Sequence, residues 1–494
     1  MQNSVPSVGL QQIAPAYDFR PFGDRLRPFI QAALQELGKD HYRAGTTLIP
    51  LFLVWVVLAL TIRRDLNTDA VIEWMISATR WIDLNLTVSL LAEGALSHAR
   101  VALGFEVFEL IFQKLSARVE LAPDFHDLVT VIFDGTTMTM PDSAKNRAEF
   151  GKPSSRRGEA GYPQLRMVAL LVGATHVMLD LAFAACRGKG TGEHSLMKQI
   201  IERTTRRGLL FLFDAGFYSF ALAWTIQQRG EHFLMKVNKN LKLVPLKGRV
   251  LADGSFLACI TGMVDGQKQE LTVRVIECHL RGFRPFRLIT NLLEEKITAR
   301  ELVKHYHQRW EIEIAFDEIK THQCARLRGQ MPTLFRSKRP DLVKQELYAL
   351  MITYTTLRLL MQQAAAEAGK KPVALSFLET LQAVIDAVPL FNWPAHPQPE
   401  QALDYLLLVI AASEIEGARR PRVNPRVVKV KLSKFKRKRQ AQPGEWRDFD
   451  ADLVIIAPRD EVATVLPFPR LTNARRQKLI APPKDKVAAL PRAA

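Results

Sequence analysis

The amino-acid sequence predicts an α/β fold: a mixed sheet with a β-rich insertion, flanked by helical N- and C-terminal regions. Three patterns lead there. Short apolar, β-branched runs alternate with helical spacing over residues 124–235. Strand-like runs divided by Asp-Gly turns fill 236–290, and longer stretches of helical periodicity lie on either side.

Residues 1–123 read as a helical domain. Leu48–Ile62 is an apolar run followed by Arg63 and Arg64. As a helix it would cover about 22 Å, short of the roughly 30 Å hydrocarbon core, and Pro50 suits its first turn. It is therefore expected to be a core helix and not a membrane span. Ala95–Leu115 continues as one amphipathic helix.

The region 124–235 opens with Leu128–Phe133, a strand that delivers Asp134 to the turn Gly135-Thr-Thr137. Strands Met167–Val172 and Val177–Phe183 follow, then a helix from His194 to Thr204. Glu193 and His194, just before it, read either as support for a nearby site or as a simple N-terminal helix charge. A second apolar strand, Leu209–Phe213, hands Asp214 to a glycine turn, and a helix runs on to Gln228. Taken singly, each aspartate reads as a turn cap. The insertion offers strands at Leu251–Ile260, Leu271–Cys278 and Phe286–Thr290, with turns at Asp253-Gly and Asp265-Gly.

In the returning part of the core, residues 291–375, one helix stands out. From Tyr306 the steps to Arg309, Glu313 and Lys320 are three, four and seven residues in the next intervals, so all lie within roughly 60° of Tyr306 on an α-helix. Such a stripe is commonly a wet face. Here Ile312, Phe316 and Ile319 flank it on one side and Trp310 and Ile314 on the other. Lys304, His307, Glu311, Glu318 and His322 gather opposite, as the expected solvent face. The stripe should then point into the protein or a cleft, where its charges need metal, phosphate or counter-charge. A further helix spans Asp341–Gln363. Region 376–494 holds a Pro-rich connection near 389–399, a helix at Glu400–Ala412 and a basic run. From Arg419 to Gln440 there are eleven Lys or Arg, no acid, and an interleaved Phe435, suited to following a DNA backbone. The last fifty residues show little periodicity and are expected to be partly disordered.

The spacing Tyr-x2-Arg-x3-Glu-x6-Lys resembles, without a gap, the signature of DDE transposases of the insertion sequence four family. Met140-Pro-Asp142, Asn146-Arg147 and Phe150-Gly151 resemble the stretch after that family's first catalytic aspartate. The similarity covers roughly residues 45–440. It implies a ribonuclease-H-like catalytic core in which Asp134, Asp214 and Glu313 are both catalytic and metal-binding. Tyr306, Arg309 and Lys320 would hold DNA phosphates, and residues 1–123 would help recognise transposon ends. Members that excise through a hairpin carry a β-rich insertion with an aromatic residue, often Trp, stacked on a flipped base. Phe286 takes that place here, with a strand-core Phe as the plainer reading. The resemblance also implies a homodimer in complex with double-stranded DNA, both terminal inverted repeats and target.

The chemistry can be stated without the family. Three carboxylates from separate elements can hold two hard divalent cations, which stabilise attacking and leaving oxygens at phosphorus. Mg²⁺ is the expected ion, with Mn²⁺ as a substitute. Asp317, one turn after Glu313, is an alternative acid. A net charge of +18 over 494 residues, with a pI near 9.8, favours polyanionic partners. Four cysteines without CxxC or finger spacing fit a reducing, cytoplasmic setting, here bacterial and associated with the nucleoid through DNA. The reading is a metal-dependent transposase that cleaves DNA ends and transfers strands by cut and paste. The alternatives are a nuclease of the same fold without strand transfer and a non-catalytic DNA-binding remnant.

Overall fold

The apolar run at Leu128–Phe133 does become a strand, but the strand does not stop at Asp134. It runs Val129–Thr139 (β1), because Thr136, Thr137 and Thr139 extend the β-branched pattern past Gly135. The computed structural model describes residues 17, 19–44, 46–77, 94–155, 158–238, 240–280, 285–324, 333–391, 399–415, 427–428, 436–437 and 452–458. Most of the basic run Arg419–Gln440, including Phe435, lies outside the described residues, as do 392–398 in the Pro-rich connection and most of the last fifty residues.

β1 lies in a sheet with Gln164–Val172 (β2), Met178–Ala185 (β3), Leu209–Phe213 (β4) and His232–Val237 (β5). The order across this half is β3-β2-β1-β4-β5. β2 runs antiparallel to both β1 and β3, and β1, β4 and β5 run parallel. That mixed order is the ribonuclease-H-like arrangement. The insertion does not form a sheet of its own. Its strands Pro245–Val250 (β6), Phe256–Val264 (β7), Gln267–Leu280 (β8) and Phe286–Thr290 (β9) continue the same sheet through β9, which pairs antiparallel with β5. The order there is β5-β9-β8-β7-β6, and a late strand, Leu453–Ile455 (β10), pairs with β8. Asp265 and Gly266, both at positive φ, close the β7–β8 hairpin in the manner of a two-residue turn.

Helices cover both faces. Glu193–Arg203 (α7) and Phe220–Gln228 (α8) share a core with Val131, Phe133, Phe211 and Phe213. On the other face lie the N-terminal helices Arg20–Glu36 (α1), Pro50–Ile62 (α2), Thr68–Met75 (α3), Ala95–Leu103 (α4) and Glu106–Ala117 (α5). The expected single helix from Ala95 is broken by Gly104, whose φ of +83° only glycine adopts freely. α2 is apolar all round and almost wholly buried, with Trp55 at 0 % exposure, so it is packed in protein. Among the described residues no helix is long and apolar enough to cross a membrane. These helices share one continuous core with the sheet and with Pro340–Glu367 (α11), which packs against α2 and α5. The helical N-terminal region is thus not a separately cored body. Ala144–Phe150 (α6) follows β1, and Phe377–Phe391 (α12) and Pro399–Ala412 (α13) pack on α11.

The stretch from Tyr306 to Lys320 is helical throughout but changes type. Ala299–Tyr306 (α9) leads into a 3₁₀ turn at His307–Trp310, then Glu311–Asp317 (α10), then a π turn over Glu318–Gln323. The wide turn is closed by the Cys324 N–H donating to the Ile319 carbonyl at 3.1 Å, an i to i−5 bond.

Candidate active site

Strand parity places the two aspartates. Along β1, Val131 and Phe133 face one core and Ile132 the other, so Asp134 falls on the Ile132 side. Along β4, Phe211 and Phe213 face the first core and Leu210 and Leu212 the second, and Asp214 follows on the Leu212 side. The parallel register pairs Ile132 with Leu212, and two residues further on each strand come Asp134 and Asp214. The Tyr306–Lys320 helix packs on that face through Ile312, Ala315, Phe316 and Ile319.

Asp134 is largely buried, its side chain 23 % exposed. Its Oδ1 accepts from the Gly135 N–H at 2.8 Å, and its Oδ2 lies 3.7 Å from Arg309 Nη1. Burial pushes its pKa up to about 6; the Gly135 bond and Arg309 oppose the rise, and the charges of Glu313 and Asp214 add to it. Asp214 caps the short turn Ala215–Phe217, accepting from the Ala215 N–H at 2.8 Å. Glu313 Oε1 accepts from Arg309 Nη2 at 3.2 Å. Arg309 therefore stands among the acids. Burial works against its charge, yet Tyr306, Asp214, Asp134 and Glu313 together hold its pKa above the ordinary value. Its guanidinium also lies over the Trp310 ring, 4.7 Å from the centroid.

Lys320 reaches Thr136 Oγ1 on β1. Burial lowers its pKa, and the Asp134 charge pulls the other way. A shallow groove of about 310 Å³ opens here, lined by Asp134, Gly135, Glu313, Phe316, Asp317, Lys320 and Thr321. Asp317 shares the groove, but its carboxylate accepts from Thr321 at 2.6 Å and faces the outer side.

Several placements differ from the sequence reading. Glu313 takes the cleft alternative of that reading, not the buried one: its side chain is 45 % exposed and lines the groove. The supposed solvent face is the buried one at Glu318, which is 4 % exposed and bonded to Arg358 and Tyr354 on α11. The reason is that α11 and the β2–β3 turn pack against that side, which helical periodicity cannot show. Tyr306 is 7 % exposed and its hydroxyl donates to the Phe213 carbonyl at 3.0 Å, so it is spent on the end of β4. Phe286 opens β9, two strands from β4, half-buried and with Lys236 Nζ 5.3 Å from its ring centroid; the structure does not bring it into the groove. Glu193 and His194 lie behind the aspartates. A Cβ on Gly135 would meet the Glu193 carboxyl at 2.6 Å, and His194 Nε2 bonds the Gly216 carbonyl at 2.7 Å. Thr136 was missed, although a threonine two residues from a strand-end acid, on the same face, is where a partner for Lys320 could have been sought.

Among the described residues no three His, Cys, Asp or Glu side chains form a ready metal cage. The donor chemistry nevertheless fits a hard divalent cation: carboxylate oxygens only, with a buried Asp134 whose ionised form is disfavoured until positive charge is supplied. Arg309 supplies part of that charge here.

Two acids level on neighbouring parallel strands, with a glutamate from a covering helix, are the arrangement expected of the DDE class of enzymes. Residues 126–356 match the model of the transposase DDE domain, and residues 26–113 match that of the insertion element 4 transposase N-terminal region. This chain belongs to the insertion element 4 family of DDE transposases, enzymes of DNA cleavage and strand transfer that depend on divalent metal. It is 27 % identical over 431 residues to the transposase InsG for insertion sequence element IS4 of Escherichia coli K12, covering 84 % of this chain and 92 % of that one. It is 30 % identical over 194 residues to the putative transposase InsZ of the same strain, 38 % of this chain and 62 % of the other. A solved piggyBac transposase synaptic complex with hairpin DNA matches over 82 % of this chain and 88 % of that one, at 12 % identity and a TM-score of 0.43.

Proposed function

We propose that Asp134, Asp214 and Glu313 are the catalytic, metal-holding acids of this transposase, with Mg²⁺ as the ion, two per site, and Mn²⁺ able to replace it. The observation that carries this is the level register of Asp134 and Asp214 on the face covered by Glu313, with Arg309 between Asp134 and Glu313. When bound, the ions supply a lowered pKa for the attacking hydroxyl and charge neutralisation at the leaving oxygen. The chain does the rest. Gly135 and Ala215 N–H groups orient the two aspartates, and Tyr306 holds the end of β4 so that Asp214 keeps its level. Arg309 favours the ionised form of Asp134 and ties it to Glu313, and can turn its fork to a phosphate as positive charge enters. Lys320, two turns from Glu313 along the helix and lining the same groove, offers a point charge to the DNA backbone. The N-terminal helices would help to read the transposon ends, and two copies would pair two ends during cut-and-paste transposition. Phe286 keeps a stacking role only if DNA displaces Lys236 from its ring.

The test uses purified protein, a pre-cut 3′-hydroxyl transposon end and a target plasmid with Mg²⁺. Joined product supports transfer; hydrolysis of the plasmid without joining points to the nuclease reading instead. Substituting Ca²⁺, which has the charge but a looser coordination sphere, should allow DNA binding with little joining.

A further inference from the structure

Behind the catalytic face, the same helix carries a chain of ionisable groups that the proposed reaction does not touch. His176 and Arg358 are 0 % exposed and Glu318 is 4 %. Arg358 Nη2 donates to Glu318 Oε2 and also lies 2.8 Å from His176 Nδ1. Arginine only donates, so that Nδ1 accepts and the ring proton sits on Nε2, 2.9 Å from Glu311 Oε2. Tyr354 donates to Glu318 Oε2 at 2.9 Å. Glu318 is held well below the usual carboxylate range: burial opposes its charge, and the Arg358 guanidinium overcomes that.

The chain joins three elements. His176 comes from the β2–β3 turn, at a φ of 60° that non-glycine residues rarely take. Arg358 and Tyr354 come from α11, and Glu311 and Glu318 bracket α10 and the start of the π turn. Gln323, at the other end of the π turn, donates to Thr353 Oγ1 at 2.6 Å. A π turn is rare, and here contacts to α11 hold both of its ends. Lys320 lies between these two anchors, and the wide turn sets the direction in which it leaves the helix toward Thr136.

We propose that the buried Arg358–Glu318–His176–Glu311 chain is a positioning device that holds the π turn and so aims Lys320 at the Asp134 side of the groove. This rests on the reading of Asp134 and Lys320 as parts of the catalytic site. The network does not meet substrate; it acts through Lys320.

A double-mutant cycle tests it on the full-length protein, with cleavage of a transposon end in Mg²⁺ as the readout and thermal melting as the check on folding. Glu318→Met with Arg358→Met removes the ion pair without leaving a lone buried charge. This folded variant should lose about tenfold or more in cleavage, and adding Lys320→Ala should then cost under about threefold, against about tenfold or more in the wild-type background. Full additivity, or wild-type cleavage in the folded network variant, overturns the proposal. Should that variant not fold, Arg358→Lys, which keeps the charge but loses the fork, runs the same cycle with the same outcomes. If Lys320→Ala and Asp134→Asn alone leave cleavage intact, the site reading has failed and the positioning proposal goes with it. If they lower cleavage as expected while the cycle is additive, only the positioning proposal has failed.

Discussion

Two buried arginines lie on opposite sides of one helix, and they do different work. Arg358, behind it, is fully enclosed and directly bonded to Glu318, with Tyr354 and His176 completing the set. Arg309, in front, holds Asp134 and Glu313 at 3.7 and 3.2 Å, and Glu313 is half open to solvent. A closed network with every group satisfied is permanent structure. A looser cation among acids that face a groove is a counter-charge that another cation can replace. On the proposed reading, the contrast separates groups that position the helix from groups that would meet DNA and metal.

The strongest attempt to break this contrast is removal of the front acids. Asp134→Asn, Asp214→Asn and Glu313→Gln should each lower end cleavage by about three orders of magnitude or more, with DNA binding retained in a gel-shift assay. Normal cleavage by any one of them removes that residue from the catalytic set. Next comes stability. Arg358→Met should cost about 3–5 kcal/mol, because it strands a buried glutamate. Arg309→Met should cost less, about 1–2 kcal/mol, given its longer pairs and partly open partner. Added Mg²⁺ should raise the melting temperature of the Arg309 variant by more than it raises that of the wild type, and that of the Arg358 variant by no more than that of the wild type; equal extra recovery in both variants would erase the distinction.

The third prediction concerns pH. The folded pKa of Asp134, about 6, lies above its ordinary 3.8. Between those values the folded protein binds more protons than the unfolded chain, so without metal its stability falls as pH rises through this window and the deficit is complete above about 6. Asp134→Asn should therefore stabilise the metal-free protein at pH 7.5, by up to about 3 kcal/mol in urea unfolding. No gain would mean that the carboxylate is better compensated than its burial indicates. The smallest effect is expected from Tyr306→Phe, which loses one hydroxyl bond to the Phe213 carbonyl. It should cost about 1 kcal/mol and slow cleavage mildly, with DNA affinity unchanged. A clear drop in affinity instead would return Tyr306 to the phosphate grip.

Much of the front was readable in the chain itself. The offsets of Arg309, Glu313 and Lys320, and the apolar runs ahead of Asp134 and Asp214, are local patterns that follow from helix and strand periods. Glu318 shows where such reading ends. Its phase placed it opposite the stripe, but a phase says only that residues differ in direction, never which direction is covered. The same holds for the insertion: its strands were legible at Phe286–Thr290 and Leu271–Cys278, and their joining of the core sheet was not.

The sequence alone determined where most strands and helices lie and which acids and cations are candidates for the site, because propensity and periodicity act over a few residues. Tertiary structure decided three things. It ran β1 past Asp134, it buried Tyr306 on β4, and it enclosed Glu318 with Arg358, forty residues away in the chain. These depend on strand register and on which surfaces meet, and a buried charge finds its partner only when folding brings the two together.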